Sequence, residues 1–191
     1  MSATNAPFGL RPAFHPSGLD RAQALAGGIA SAYNADILKG QPVKYVTGGT
    51  IQPAAAGDAF VGAFDGVEWT DTTGRRRVSN YWPANTVYQT GSCVAYFYAD
   101  QNIVYEIQAD GSLAQTSIGD EADLSNTTAG SNVTGLSQCT LSTTLAGAGN
   151  SAQMRILDLA PYPGNAWGDS YTIVRANISE YQFAPAAGTA I

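Results

Sequence analysis

From Ala35 onward, apolar and polar positions alternate over short runs broken by turn residues, and no stretch sustains the three-to-four spacing of a long helix. The segment ADILKGQPVKYVTGGTIQPAAAGDAFVGAFDGVEWTD predicts strands near Ile37, over Pro42–Val46, near Ile51 and over Phe60–Thr70, with Gly40, Gly48-Gly49 and Gly57-Asp58 as breaks. Farther on, SCVAYFYAD and NIVYEIQAD are aromatic and β-branched runs joined at Asp100–Asn102, which predicts an antiparallel hairpin closed by Asp110-Gly111. QMRILDLA, Gln153–Ala160, predicts another strand, and PYPGNAWGD breaks it. In the last run, Tyr171–Phe183, Val174, Ala176 and Ile178 alternate with Arg175, Asn177 and Ser179, as a half-buried strand requires.

Three stretches depart from this pattern. Pro7, Pro12 and Pro16 surround Phe8, Leu10 and Phe14, which resists helix and predicts an extended arm, lying either on its own domain or on a neighbouring subunit. Asp20–Ser31, DRAQALAGGIAS, is the best helical candidate, limited to about two turns by Gly27 and Gly28. Residues 112–150 are rich in Ser, Thr, Gly and Asn and carry no charge after Asp123, which predicts a loop-rich excursion with weak strands near Leu136–Leu145.

The fold class expected is therefore mainly β, a small antiparallel barrel or sandwich of short strands with an extended N-terminal arm and at most one or two short helices. The expected organisation is an arm over 1–18, a β-rich core over 19–111, and a loop-dominated lobe over 112–150. Strands over 151–183 complete the core, and 184–191 form a tail.

Composition narrows the partners. Only 13% of the 191 residues are charged, against about 25% in typical soluble domains, so the surface is built from small and neutral polar side chains that suit packing against other subunits. A net charge of -6 argues against general affinity for nucleic acid or anionic membrane. The longest uncharged run, Leu124–Met154, is too polar for a membrane span. The start, MSATNAPFGLRP, has neither a basic region nor an apolar core of a signal peptide, so synthesis in a cytoplasm without secretion is expected, with Cys93 and Cys139 reduced and buried and the sequons at Asn126, Asn132 and Asn177 unused.

Catalytic parts are missing from this pattern. The single histidine, His15, lies in the arm, and there is no GxSxG, SxxK, GxGxxG or GxxxxGK[ST] motif. Asp65 and Glu68 lie three apart in a strand and face opposite ways. The acidic group GDEAD, with Asp120, Glu121 and Asp123, lacks the spacing of a calcium loop. The expectation is a non-enzymatic protein with no cofactor and no metal.

The run Arg75-Arg76-Arg77 holds three of the nine basic residues. Asp71-Thr72-Thr73-Gly74 has the signature of a type I turn, and if Thr70 faces Arg75, the pairs are Trp69 with Arg76, Glu68 with Arg77, Val67 with Val78 and Asp65 with Asn80. This offers Arg76 a cation–π contact and Arg77 an ion pair. Asp58, Asp65, Glu68 and Asp71 offset the arginines, so the hairpin is no basic patch for nucleic acid. Arginines beside Trp69, Tyr81 and Trp82 are instead the composition of a protein interface. The candidate contact residues are Phe8, Leu10, Arg11 and Phe14 in the arm and Trp69, Arg75, Arg76 and Trp82 in the hairpin.

The arm, the segment ILKGQPVKYVTGGTIQPAAAGDAFVGAFDGVEWTD, the hairpin GRRRVSNYWPANT and the segment VYEIQADG together resemble the capsid decoration, or cement, proteins of tailed bacteriophages. The resemblance implies a β-rich protein on the outer face of the virion capsid that staples neighbouring major capsid proteins, often as a homotrimer, and thereby stabilises the shell. It carries over no catalytic residue. A tail, neck or fibre component is the alternative within virions, and a carbohydrate-binding β-domain using Tyr81, Trp82, Tyr96 and Tyr98 is the alternative from another class.

Overall fold

The computed structural model describes residues 2–18, 23–26, 28–147 and 149–184. Its strands are β1 (Arg11–Phe14), β2 (Gln23–Ala26), β3 (Pro42–Tyr45), β4 (Ile51–Pro53), β5 (Gly62–Thr70), β6 (Arg76–Ser79), β7 (Val94–Tyr98), β8 (Val104–Gln108), β9 (Glu121–Ser125), β10 (Gly130–Ser131), β11 (Leu136–Ser137), β12 (Thr140–Leu145), β13 (Met154–Leu159) and β14 (Ile173–Ile178). Among the described residues the helical content is one 3-10 turn, Gln115–Ser117.

Two six-stranded antiparallel sheets result, beside a two-stranded ladder of β10 and β11. The first runs β1-β8-β14-β13-β9-β12, and the second runs β2-β7-β5-β3-β4 with β6 also on β5. The sheets are sandwich-like, with no closed barrel. Of three isolated parallel bridges among the described residues, Ala109 to Leu141 joins β12 to the end of β8, Phe60 to Tyr181 joins the loop before β5 to the segment after β14, and Lys39 to Leu136 joins the turn before β3 to β11. Each sheet has its own apolar cluster. Leu10, Tyr105, Ile107, Leu124, Met154 and Ile156 are among the residues of the first cluster. Phe64, Val67, Trp69, Trp82 and Phe97 are among those of the second.

The predicted hairpin of SCVAYFYAD with NIVYEIQAD does not form. Its turn is real, since Asp100 accepts hydrogen bonds from the Asn102 amide at 2.8 Å and side chain at 3.1 Å. The turn passes the chain from one sheet to the other, however, because β7 pairs with β2 and β5 while β8 pairs with β1 and β14. The two strands also differ in burial: β7 alternates like a strand with one wet face, whereas all five residues of β8 are buried, although each is flanked by two strands.

Other expectations also shift. Within the helical candidate, 23–26 form β2, where pairing with β7 overrides the weak propensity of a two-turn helix, and 28–31 are irregular; 20–22 and Gly27, and 185–191 of the expected tail, lie outside the described residues. Residues 112–150 are not a separate lobe, since β9 and β12 belong to the first sheet and Leu124, Cys139 and Leu141 to its core. Only the β10–β11 hairpin stands apart, tied through Lys39 to Gly135 and Ser137 by backbone bonds of 2.9 Å. The N-terminal arm lies on its own body. Leu10 is buried and its amide bonds Gly40 O at 2.8 Å, and Gly9, at φ +73, brings its Cα so close that a Cβ would sit 2.6 Å from Gly40 O.

Buried glutamines join these pieces. Gln153 accepts from the Leu124 amide at 2.9 Å and donates to Ala55 O at 2.9 Å and Asp58 O at 2.6 Å, linking the first sheet to the loop that enters β5. Gln41 accepts from Leu38 N and donates to Thr127 O, both at 2.8 Å. Gln108 accepts from Ala6 N at 2.9 Å and donates to Thr4 O at 3.0 Å. Gln153→Leu strands three backbone groups, and urea denaturation should show a loss of about 3 kcal/mol, against less than about 0.5 kcal/mol for the exposed Gln115→Ala.

Cys93 and Cys139 are free and buried, one in each cluster. Burial pushes the Cys93 thiol up to about 11 and the Cys139 thiol up to about 12. Neither should react with a thiol reagent at pH 8 in the folded protein, and both should react after denaturation in guanidinium; rapid labelling of the native chain would contradict the packing.

Candidate interaction surface

Three adjacent strands set one row of side chains. In the register of the first sheet, Arg11 of β1 lies opposite Glu106 of β8, and Arg175 of β14 lies opposite Glu106 on the other side. Glu106 thus sits between two guanidiniums. Arg11 is 2.8 Å from its Oε2, and Arg175 Nε is 3.5 Å from its Oε1, a charge contact outside hydrogen-bonding geometry. The Tyr162 hydroxyl donates to Glu106 and accepts from Arg11. Burial alone raises the Glu106 carboxyl, but the Tyr162 hydroxyl and the Arg11 and Arg175 charges hold it below its ordinary value. Burial and the bond to Glu106 push the Tyr162 phenol up.

Aromatic rings enclose both arginines. The Arg11 guanidinium lies 4.5 Å from the Phe8 ring centroid and 5.3 Å from that of Tyr162, and Arg175 lies 5.4 Å from that of Phe14. The Arg11 side chain remains 49% exposed. Phe8 and Arg11 form a ridge between two mainly apolar grooves. One, of about 370 Å³, is lined by Leu10, Lys39, Phe64, Tyr98 and Leu136 among others. The second, of about 420 Å³, is lined by Thr4, Ala6, Gln108, Tyr162 and Ile173 besides the ridge. Phe14 and Leu136 stand exposed beside them, at 42% and 45%. Pro12 lies between Arg11 and Phe14 and has no amide to donate, so this sheet edge is poorly suited to pairing with a further strand. His15, at the end of β1, lies 3.2 Å from Asp100 and ties the edge to the inter-sheet crossover.

Of the candidate contact residues, Phe8, Arg11 and Phe14 converge here. Leu10 does not offer a contact, since it is 1% exposed and belongs to the core.

The arginine hairpin is shifted by one residue from the sequence-based register. Gly74 N bonds Asp71 O, closing the expected turn, but Gly74 is left-handed at φ +85 and the bonded pair beyond it is Asp71 with Arg75. This extra residue is the bulge of a three-residue loop, and it moves Thr70 opposite Arg76, Trp69 opposite Arg77, Glu68 opposite Val78 and Val67 opposite Ser79. Arg76 consequently pairs with Glu68, and Arg77 Nε with Asp71 at 2.9 Å. The Thr73 hydroxyl, the Arg75 amide and Arg77 hold the Asp71 carboxyl well below its usual range. Arg75 alone of the three arginines has no ion pair among the described residues.

Trp69 and Trp82 form no exposed surface. Alternation along β5 sends Trp69 inward with Val67, where it meets Trp82 edge-to-face at 5.6 Å, and Trp82 meets Tyr88 at 5.9 Å. Trp82 is 0% exposed, which removes it from both the interface and the sugar platform. The acidic group is likewise engaged: Glu121 accepts from Arg155, from Ser179 Oγ at 2.6 Å and from Ala152 N at 2.9 Å, and Asp123 accepts from Gln153 N at 3.2 Å.

No protein-family model, curated protein or solved structure matches the chain.

The Glu106 row gives a signed pH dependence. Because its folded-state pKa is lowered, the stability it contributes is complete above the ordinary glutamate range and is lost as pH falls through that range and below it. Unfolding free energies measured from about pH 6 to pH 3 should fall more steeply in the wild type than in Glu106→Gln. Parallel curves would remove Glu106 as an ionised partner of Arg11.

Proposed function

We propose that this chain is a virion structural protein of a tailed bacteriophage that binds the outer capsid surface and cements neighbouring major capsid proteins. The observation that carries the reading to a particular surface is the Phe8–Arg11 ridge. It gathers half-exposed aromatic, aliphatic and arginine side chains, the composition of interface centres, on a chain otherwise poor in charge. Phe14 and Leu136 supply apolar area to bury, and Arg11, already held by Glu106 and two rings, loses little freedom on docking. Arg75 at the hairpin tip is the second contact in this reading, directed at a carboxylate of a neighbouring protein.

The arm's attachment to its own body changes how such a protein attaches. Docking proceeds through a preformed face rather than through an arm that crosses to another subunit. A homotrimer presents three copies of that face, and several modest contacts on a symmetric shell add through effective concentration. The same face serves equally for a tail, neck or fibre component.

The test is cosedimentation with purified shells of the phage that encodes the chain, with light scattering for the oligomeric state. Wild-type protein should pellet with shells, and Phe14→Ser with Leu136→Ser should weaken association at least about tenfold, with an unchanged far-UV spectrum. Failure of the wild type to bind any shell sinks the capsid reading. Undiminished binding by the double variant moves the contact elsewhere.

A further inference from the structure

The charge-free stretch NTTAGSN, Asn126–Asn132, takes no part in the ridge, yet Thr127, Thr128, Gly130, Ser131 and Asn132 of it form one wall of a cleft of about 550 Å³. The opposite wall is the turn before β3, with Tyr33 and Asp36, and the end of β4, with Pro53 and Ala54. The volume lies within the roughly 300–1,000 Å³ of small-ligand sites.

The walls are held by bonds that leave the lining free. Gln41 spends its amide on Leu38 N and Thr127 O, both at 2.8 Å, and so pins the Thr127 wall to the turn before β3. Gly130 makes the approach possible, since a Cβ there would meet Leu38 Cδ1 at 2.2 Å and Leu136 O at 2.6 Å. Asp36 accepts from Ala84 N at 2.7 Å and, loosely, from Asn132 Nδ2 at 3.5 Å. The hydroxyls of Tyr33, Thr128 and Ser131 and the side-chain oxygen of Asn132 make no hydrogen bond among the described residues.

The chemistry of that lining selects a ligand class. No lysine, arginine or histidine lines the cleft, so it lacks the positive charge that phosphate or carboxylate groups require. Its single carboxylate, Asp36, accepts one neutral donor on each oxygen and keeps lone pairs on both for a further hydroxyl. Several neutral donors and acceptors beside a half-buried tyrosine ring match a molecule with hydroxyls at its edges and an apolar C–H face. We propose that this cleft binds a neutral saccharide of one or two rings. The inference stands apart from the capsid reading and uses none of the residues Tyr81, Trp82, Tyr96 and Tyr98 that the sequence offered for such a role.

The experiment is an amide-resolved NMR titration of the full chain with neutral mono- and disaccharides of glucose, galactose, mannose and N-acetylglucosamine. At least one should give saturable shifts at Tyr33, Thr128, Ser131 and Asn132. Tyr33→Phe and Thr128→Val, which each remove one hydroxyl, should weaken that sugar about three- to tenfold, while Arg76→Ala leaves it unchanged. Thr128 is exposed, so its variant should keep the wild-type unfolding midpoint. Absence of saturable shifts with every sugar overturns the proposal, as do shifts centred on Tyr81 and Tyr96, or tighter binding of inorganic phosphate or ethylammonium in the same cleft.

Discussion

Primary amides buried where separate elements meet are the constraint on which this structure depends. Gln41 and Gln108 are 1% exposed and Gln153 is 0% exposed, and each uses both its oxygen and its nitrogen on backbone groups that no ladder reaches. A side-chain amide carries the same donor and acceptor as a peptide group, so it can continue hydrogen bonding across a break between sheets. Unpaired backbone groups in such places would cost about 1–3 kcal/mol each. A low-charge chain solves this with neutral groups, which avoids the larger desolvation of ions.

The consequences reach the surface. Gln108 fixes Thr4 and Ala6, and this places Phe8 and Arg11 where the row from Arg11 through Glu106 to Arg175 can form. Gln41 fixes Thr127 and with it the wall of the polar cleft. The ridge and the cleft are therefore products of the same device. Both are rigid because their supports lie inside, bonded at both ends of an amide, whereas the exposed side chains remain uncommitted.

Most strands were legible in the sequence because each carries its own signal. Val174, Ala176 and Ile178 declare a buried face, and Gly48-Gly49 and Gly57-Asp58 mark breaks, without reference to anything distant. Partner choice is not local. SCVAYFYAD and NIVYEIQAD look like a hairpin because their turn is sound, yet each run takes both of its neighbours from elsewhere in the chain, β7 lying between β2 and β5 and β8 between β1 and β14. The one-residue error in the arginine hairpin has a smaller cause, the left-handed Gly74 that adds a bulge after a correctly read turn. Trp69 and Trp82 look like interface residues by type, and only the alternation along β5 and their mutual contact put them inside. Glu106 carried no signal at all, being one acid in an apolar strand whose two arginine neighbours are set by pairing.

Ion pairing takes up most of the described positive charge. Lys39, Lys44, Arg11, Arg76, Arg77, Arg155 and Arg175 each lie against a carboxylate within the chain. Exposed pairs of this kind contribute about 0–1 kcal/mol each, so their value lies less in stability than in cancelling positive charge that would otherwise draw anions. Arg75 is left as the described cation with no such pair, and it sits at a hairpin tip rather than within a patch. With the described cations paired and a net charge of -6, anions are not drawn to the chain from a distance, and binding at the proposed ridge and cleft would rest on short-range contacts, from apolar area around Phe8, Phe14 and Leu136 and from hydroxyl and amide groups. The low positive charge noticed first in the composition is thus reduced further by the contacts themselves, since the described lysines and arginines other than Arg75 are already held by carboxylates of the same chain.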